Sequence, residues 1–422
     1  MKKRNVNNLG VRGWGITIVM FLLFMLESHT TTDILNVSVP ALAAQNGWDS
    51  SLLLSVATIA GWCALVTSFF VGSFVQKIGP KKIITVCTIA FAICVFFTGS
   101  APSVPVYIIL IILTTVLSNA QLGISMFAVI ANWFPTKKGV VMGFATMGMT
   151  ASTVVALPIV TAIIEKSGIA MAYRILGIFA LIVAILAILI VKDTPESCGI
   201  SPDNDPSITP EMREQEKIRA KELLESSPWT IKKLLKTKQV WQISVMLGIN
   251  MMAATAVMSQ FVARFMSIGW DITQATLCLT LGSLIGLPVS YIWGIVDAKI
   301  GSAKVTRILL CISTAGMLIM IVAGKSFILG LIAALLFMCT LAGTNNMFMS
   351  YTGSVFGRYD FANANRLMYP IYNAIRFLAF AIMGLCLKIF GGYTAAYIVM
   401  LGFGIIAIII SFFAKDDLIG RS

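Results

Sequence analysis

The chain has 422 residues, 58% of them hydrophobic and 12% charged, with a formal charge of +13 and a mean hydropathy of +0.90. So apolar a composition excludes a water-soluble domain of this length and calls for a protein that crosses a bilayer many times. Eight cysteines without a C-x-x-C pair and a single histidine point to reduced packing thiols and to no metal site. No P-loop is present, so direct ATP coupling is not expected.

Hydrophobic runs of about 20 residues, enough to cross a ~30 Å hydrocarbon core, fall near 14–39, 51–75, 82–100, 104–132, 139–163, 170–191, 240–266, 274–296, 305–323, 327–350, 367–389 and 393–414. They predict an all-α membrane protein of twelve transmembrane helices, built as two six-helix bundles. Residues 1–191 form the first bundle, 192–238 a cytoplasmic linker and 239–422 the second bundle. The basic start followed by Ala41-Leu42-Ala43 imitates a cleavable signal, yet Glu27, His29 and Asp33 interrupt the segment. It reads as the first helix of the mature protein.

With both termini in the cytoplasm, most Lys and Arg fall on the cytoplasmic side, among them Lys77, Lys81, Lys82, Lys137, Lys138, Lys299, Lys304 and Arg307. That is the positive-inside pattern of a multi-pass protein of the cytoplasmic membrane. The excess charge is then a topology signal and an attraction to anionic lipid, with no call for nucleic acid.

The first span carries Glu27-Ser-His29-Thr-Thr-Thr-Asp33 in its middle and outer half. At about 100° per residue, His29, Thr32, Asp33 and Asn36 share one stripe, with Glu27 roughly 120° away from Asp33. A carboxyl group in a low-dielectric cavity, beside a histidine or a bound anion, is suited to taking up and releasing a proton. Either Glu27 or Asp33, with or without His29, is the expected proton-coupling group. In the linker, mixed charges over 211–225 predict a cytoplasmic helix, amphipathic or solvated.

The halves repeat one another. Gly72-Ser-Phe-Val-Gln76-Lys-Ile-Gly79 after the second span matches Gly294-Ile-Val-Asp297-Ala-Lys-Ile-Gly301 after the eighth, and Phe134 falls on Phe356; both pairs are 222 residues apart. One offset at two landmarks argues for duplicated bundles related by an axis along the membrane normal. The loop motif resembles the G-x-x-x-D-x-x-G signature of the major facilitator superfamily, and the resemblance extends over essentially the whole chain. In that family the acid is thought to latch the halves on the cytoplasmic side. Here Gln76 replaces it in the first copy, and in the second Asp297 stands one residue early, before Ala298. The resemblance makes Gln76 and Asp297 the cytoplasmic gate, with a weakened latch expected.

Asn46-Gly47-Trp48, Trp133-Phe134-Pro135 with Lys137-Lys138-Gly139, and Pro228-Trp229 through Lys236 look like the oxalate/formate antiporter and monocarboxylate transporter branch. The pattern of that branch has cations on the eighth and eleventh helices. The eighth run, 274–296, has none, whereas Arg376 lies at the depth of the eleventh-helix cation. The resemblance therefore implies one fixed positive charge, which suits a monocarboxylate better than a dicarboxylate.

Arg376 is also the residue that composition alone would pick out. An unpaired arginine at a span's centre costs roughly 2.5–3.5 kcal/mol, so it is expected to face a polar cavity and meet an anion. Tyr369, Tyr372, Asn373 and Arg376 are spaced i, i+3, i+4, i+7 on one stripe. Asn345, Asn250 and Gln121 are amides in apolar runs, weaker candidates for substrate contact because such amides commonly glue helices. A competing reading has Glu27 and Arg376 neutralise each other.

Taken together, the sequence predicts a secondary transporter of a small organic anion, by alternating access, as proton symport or anion exchange. It is not expected to be an enzyme or to need a cofactor, and nothing requires more than a monomer. The alternative is a proton-coupled exporter of drugs or amphipathic metabolites, with the first-span acids attracting the substrate.

Overall fold

The computed structural model describes residues 8–205, 211, 212, 215, 218, 219, 222, 223 and 227–421. The first span runs over 10–46 and is interrupted by a π-helical stretch, His29–Asp33. Ser50–Ile78, Pro80–Thr98 and Val104–Trp133 follow. The helix Lys138–Ile190 is bent back at Gly168 (φ 80°), dividing it into a fifth span, 138–167, and a sixth, 169–190. Lys238–Ser267, Ile272–Ile300 and Ser302–Val322 are the seventh to ninth. Phe327–Phe390 divides at Gly357 (φ 70°) into the tenth, 327–356, and the eleventh, 358–390, and Tyr393–Phe413 is the last. Among the described residues nine helices are long and apolar enough to cross a membrane, ten when the bent pair Ile59–Ser68 and Phe70–Ile78 is joined. Division of the two longest at their glycines, which alone take left-handed φ without strain, yields twelve.

The duplication is visible in the backbone. Gly79 (φ 86°) and Gly301 (φ 87°) open the third and ninth spans in matching conformations. Beyond each, an aspartate caps the new helix: Lys81 N donates to Asp193 Oδ1 at 2.7 Å, and Ala303 N to Asp416 Oδ2 at 3.4 Å. A carboxylate there satisfies helix-terminal N–H groups and meets the positive end of the helix dipole.

The first part of the linker is packed against the spans. Trp133 Nε1 donates to Lys192 O at 2.8 Å, and Asp203 accepts from the backbone N–H groups of Thr136 and Lys137, each at 3.0 Å. Glu196 forms a buried ion pair with Arg358 at 2.6 Å, tying the linker to the turn between the tenth and eleventh spans. Trp229, near its other end, packs edge-on against Phe356. The predicted helix over 211–225 falls largely outside the described residues. Both ends of the described chain sit on this linker side: Lys137 Nζ donates to Asn8 O at 2.6 Å, and Asp360 holds Arg421 at 2.8 Å.

The two six-span sets are pressed together from mid-membrane to the linker side, where small residues allow it. A Cβ on Gly143 of the fifth span would lie 2.7 Å from Ser290 O of the eighth, and one on Gly294 would run into the backbone of Gly139. Ser290 Oγ donates to Gly143 O at 2.9 Å across this seam. The second and eleventh spans approach as closely, with Gly72 against the side chain of Arg366 and Gly61 against Phe377. Gly294→Ala should therefore lower the unfolding midpoint in detergent, at an overpacking cost of about 1–3 kcal/mol. Gly384→Ala, where nothing lies within 4 Å of an added Cβ, should leave the midpoint unchanged.

Candidate functional site

Arg376 lies near the middle of the eleventh span and is partly exposed. Its Nε donates to Thr255 Oγ1 of the seventh span at 3.3 Å, and among the described residues this is the only hydrogen bond the guanidinium makes. The terminal nitrogens are left open. Among the described residues no ion pair within 4.0 Å joins Arg376 to Glu27, which is partly exposed on the first span. On the seventh span, mostly buried over this stretch, Thr255, Met258 and Ser259 form the more open stripe. Among the described residues Arg376 and Glu27 thus form no closed pair.

Beneath Arg376, toward the linker, lies an aromatic floor. Tyr372 is buried and stacks on Phe348 of the tenth span, ring centroids 4.5 Å apart, while its hydroxyl donates to Asn345 Oδ1 at 3.0 Å. Tyr369 stacks beside Tyr372 at 6.2 Å and meets Phe127 of the fourth span at 6.0 Å. Rings in such offset or edge arrangements add about 0.5–1.5 kcal/mol per pair beyond area burial, so the floor is rigid. The Tyr369 ring is seated on Gly123, where any Cβ would collide with it. Asn373, on the predicted stripe, instead turns its amide back to Tyr369 O at 3.1 Å.

Three of the first six spans carry a π-helical segment at mid-membrane: His29–Asp33, Ala120–Met126 and Ser152–Ala156. The first and third occur where the sequence disfavours regular α-helix. Thr30 and Thr31 return their hydroxyls to Leu26 O and Glu27 O, at 2.8 and 2.7 Å, and Thr153-Val-Val is β-branched; both features loosen or crowd the α-helical turn. Such bulges concentrate at functional sites.

The first and third bulges face each other. Ser152 Oγ donates to Asp33 Oδ2 and lies 3.3 Å from His29 Nδ1, while Thr153 Oγ1 donates to Asp33 Oδ2 at 3.2 Å. His29 Nε2 is buried with no partner. The expected stripe of His29, Thr32, Asp33 and Asn36 presumed even α-helical rotation. The π turn alters that register, and the side chains of Thr32 and Asn36 lie outside the described residues. Ser152 and Thr153 were not anticipated as site residues; the hydroxyl and β-branched run at 152–155 was their signal.

The second bulge holds Gln121, fully buried with neither amide atom partnered, and frees Gly123 O to accept from Asn365 Nδ2 of the eleventh span at 3.0 Å. Asn250, by contrast, is buried and donates to Thr344 Oγ1 at 2.8 Å, the inter-helix contact common for such amides. Thr255, Phe348 and Asn365 join the site without having been singled out in sequence, because hydroxyls and rings are ordinary in apolar helices.

A family model, the Major Facilitator Superfamily, matches residues 14–382. The chain belongs to this superfamily. Among relatives is YhjX of Escherichia coli strain K12, an uncharacterized MFS-type transporter, 20% identical over 72% of this chain and 71% of that one. In structure, the chain is similar to the proton:xylose symporter XylE, with a TM-score of 0.74 at 16% identity over 96% of this chain and 97% of that one. It is similar also to FucP in the outward conformation, with a TM-score of 0.72 at 13% identity over 94% and 98%. The human organic anion transporter MFSD10 gives 0.72 at 13% identity over 94% and 99%. At such identities these neighbours speak for the fold.

In this major facilitator transporter both predicted gate residues lie where the sets of spans meet. Gln76 donates its amide to Asn363 Oδ1 and accepts from Arg366 Nη1 at 3.0 Å. A neutral amide thus engages two groups of the opposite set, although a weakened latch was expected without the acid. Asp297 accepts from Ser302 Oγ at 2.7 Å and from Ser350 Oγ, and lies against Gly139 at the start of the fifth span. Beside it the stem of Lys138 crosses Gly353 of the tenth span. Ser152→Ala removes the hydroxyl shared by Asp33 and His29, and should cost about 1–3 kcal/mol, read as a lower midpoint of thermal unfolding; Ser197→Ala, in the exposed part of the linker, serves as the neutral comparison.

Proposed function

We propose that the protein moves a small organic anion, a monocarboxylate, across the cytoplasmic membrane by alternating access, as proton symport or anion exchange. The observation that carries this reading is Arg376, whose only hydrogen bond among the described residues uses Nε. The two terminal nitrogens remain for a carboxylate, which the planar guanidinium fork holds bidentately. Tyr369, Tyr372 and Phe348 supply an apolar floor for the substrate's carbon skeleton. One fixed cation fits one carboxylate. Asn345, which accepts from Tyr372, and the Gln121 amide are proposed as further polar contacts, and Asn373 turns its amide to the Tyr369 carbonyl.

Proton coupling, on this reading, belongs to Asp33 with His29, Ser152 and Thr153, or to Glu27 facing Arg376. An anion on Arg376 offsets the charge that otherwise resists passage through the occluded state, so loaded carriers cross and empty ones do not. Exchange follows from that penalty, and symport follows if protonation of a first-span acid relieves it as well. The close seam on the linker side, at Gly139, Gly294, Gln76 and Asp297, favours a state closed toward the cytoplasm and open outward, with these residues as the gate. The family's symporter members and the organic anion transporter MFSD10 are compatible with either coupling.

The exporter reading has one observation in its favour: the Glu27 carboxylate takes no side-chain hydrogen bond among the described residues and is partly exposed, a setting open to a cationic substrate. Thermal stabilisation against mono- and dicarboxylates, sugars, amino acids and cationic drugs separates the two. A monocarboxylate should stabilise the parent. Arg376→Ala should cost about 2–5 kcal/mol of binding, the range for removing one partner of a buried charge pair, roughly thirtyfold or more in affinity, with Arg376→Lys between the two. Stabilisation only by cations, lost in Glu27→Gln and kept in Arg376→Ala, contradicts the anion reading.

A further inference from the structure

We propose that the cavity on the linker side, between the gate and the short helix Ile231–Lys236, binds an anion bearing a phosphate group. The cavity has a volume of about 620 Å³ and is lined by Gln76, Ser227, Trp229, Lys232, Asn363 and Arg366, among others. That size lies within the ~300–1,000 Å³ usual for small-molecule sites. It is separate from the central opening: Arg366 precedes Arg376 by nearly three helical turns on the same span.

The charge in this cavity is one-sided. Arg366 and Lys232 both line it, and no acid does among the described residues. The acid reached through Ser227 is Asp360, which already accepts from Ser227 Oγ at 2.7 Å, from Arg421 N at 2.8 Å and from Arg421 Nη2 at 2.8 Å. It has no charge to spare. Arg366 gives Nη1 to the neutral Gln76, and its Nε is buried without a partner among the described residues. Buried donors of a charged group are rarely left so. The missing element is an acceptor, and the guanidinium fork fits a phosphate in two-pronged fashion while an ammonium acts on the same group as a point charge. Two cations on a roomy cavity suit a phosphate, whose several oxygens can meet the guanidinium fork and the ammonium together.

Two sources offer this chemistry: a phosphorylated solute, or the headgroup of an anionic phospholipid at the linker-side ends of the spans. Either would join Arg366 of the eleventh span to Lys232 on the approach to the seventh while Arg366 keeps Gln76 of the second. Occupancy would hold the linker side closed. That consequence rests on the gate reading above; the site does not.

The test uses the full chain in phosphatidylcholine nanodiscs, with unfolding midpoints followed against inorganic pyrophosphate. A second arm omits pyrophosphate and includes phosphatidylglycerol in the nanodisc. Stabilisation is expected in at least one arm; pyrophosphate alone identifies a soluble ligand, and phosphatidylglycerol alone a headgroup. Lys232→Gln, at an exposed position that the fold does not need, should weaken it about tenfold or more, the order for loss of one charge-assisted hydrogen bond. Arg366→Gln should abolish it, and Arg376→Ala should leave it intact. The inference is overturned if neither arm stabilises the parent, if the effect survives Lys232→Gln unchanged, or if Arg376→Ala removes it, which would place the anion in the central opening. Failure of the monocarboxylate panel would leave this outcome untouched, so the two readings fall separately.

Discussion

A guanidinium near the middle of a membrane span, with no carboxylate in contact among the described residues, sets the terms for the rest of this transporter. Placing Arg376 there costs roughly 2.5–3.5 kcal/mol on the mildest scale, and one hydrogen bond from Thr255 does not cancel it. The seventh span meets it with Thr255, on the more open stripe of that helix. The stacked rings of Tyr369, Tyr372 and Phe348 pack on the linker side of the charge. An alternating-access carrier needs a site reachable from one face while the other is shut.

Shutting the linker face is the work of residues with little or no side chain. Gly139, Gly143 and Gly294 bring the fifth and eighth spans into backbone contact, and Gly72 does so for the second and eleventh. Where side chains are needed, neutral amides and hydroxyls serve. Gln76, Asn363, Ser290 and Asn365 bridge the sets with one or two hydrogen bonds apiece, each worth about 0.6 kcal/mol in a membrane setting. Bonds of that strength can be broken and remade each cycle. The buried Glu196–Arg358 pair is the stronger tie, and it lies outside the bilayer-spanning helices' core, at the linker.

The spans, the duplication and the central charge were legible in the sequence for direct physical reasons. Hydropathy marks each crossing because lipid tolerates no unpaired backbone, the repeated Gly79 and Gly301 mark a backbone conformation that only glycine adopts freely, and Arg376 stands out against leucines. Tyr369 and Tyr372 held their predicted stripe on the eleventh span despite Pro370 within it. The first-span cluster was only half legible. Its residues are conspicuous, but their partners Ser152 and Thr153 sit on a separate span, and the π turns that present them alter the even rotation on which stripe arguments rely. Gln121 and Asn250 look alike in sequence, both amides in apolar runs. Packing alone separates the unpartnered Gln121 from Asn250, bound to Thr344.

In the first part of the linker, Asp193 and Asp203 are consumed in capping backbone N–H groups and Glu196 in a buried pair, so charge there signals attachment, which a polar composition by itself does not reveal. The most direct measurement of the central claim is an experimentally determined structure of the transporter with a bound monocarboxylate. The account predicts the carboxylate on the terminal nitrogens of Arg376 at about 2.7–2.9 Å, its carbon chain against Tyr369 and Tyr372, and Glu27 unpaired. A structure in which Glu27 closes onto Arg376 as a salt bridge while the ligand lies elsewhere would contradict it.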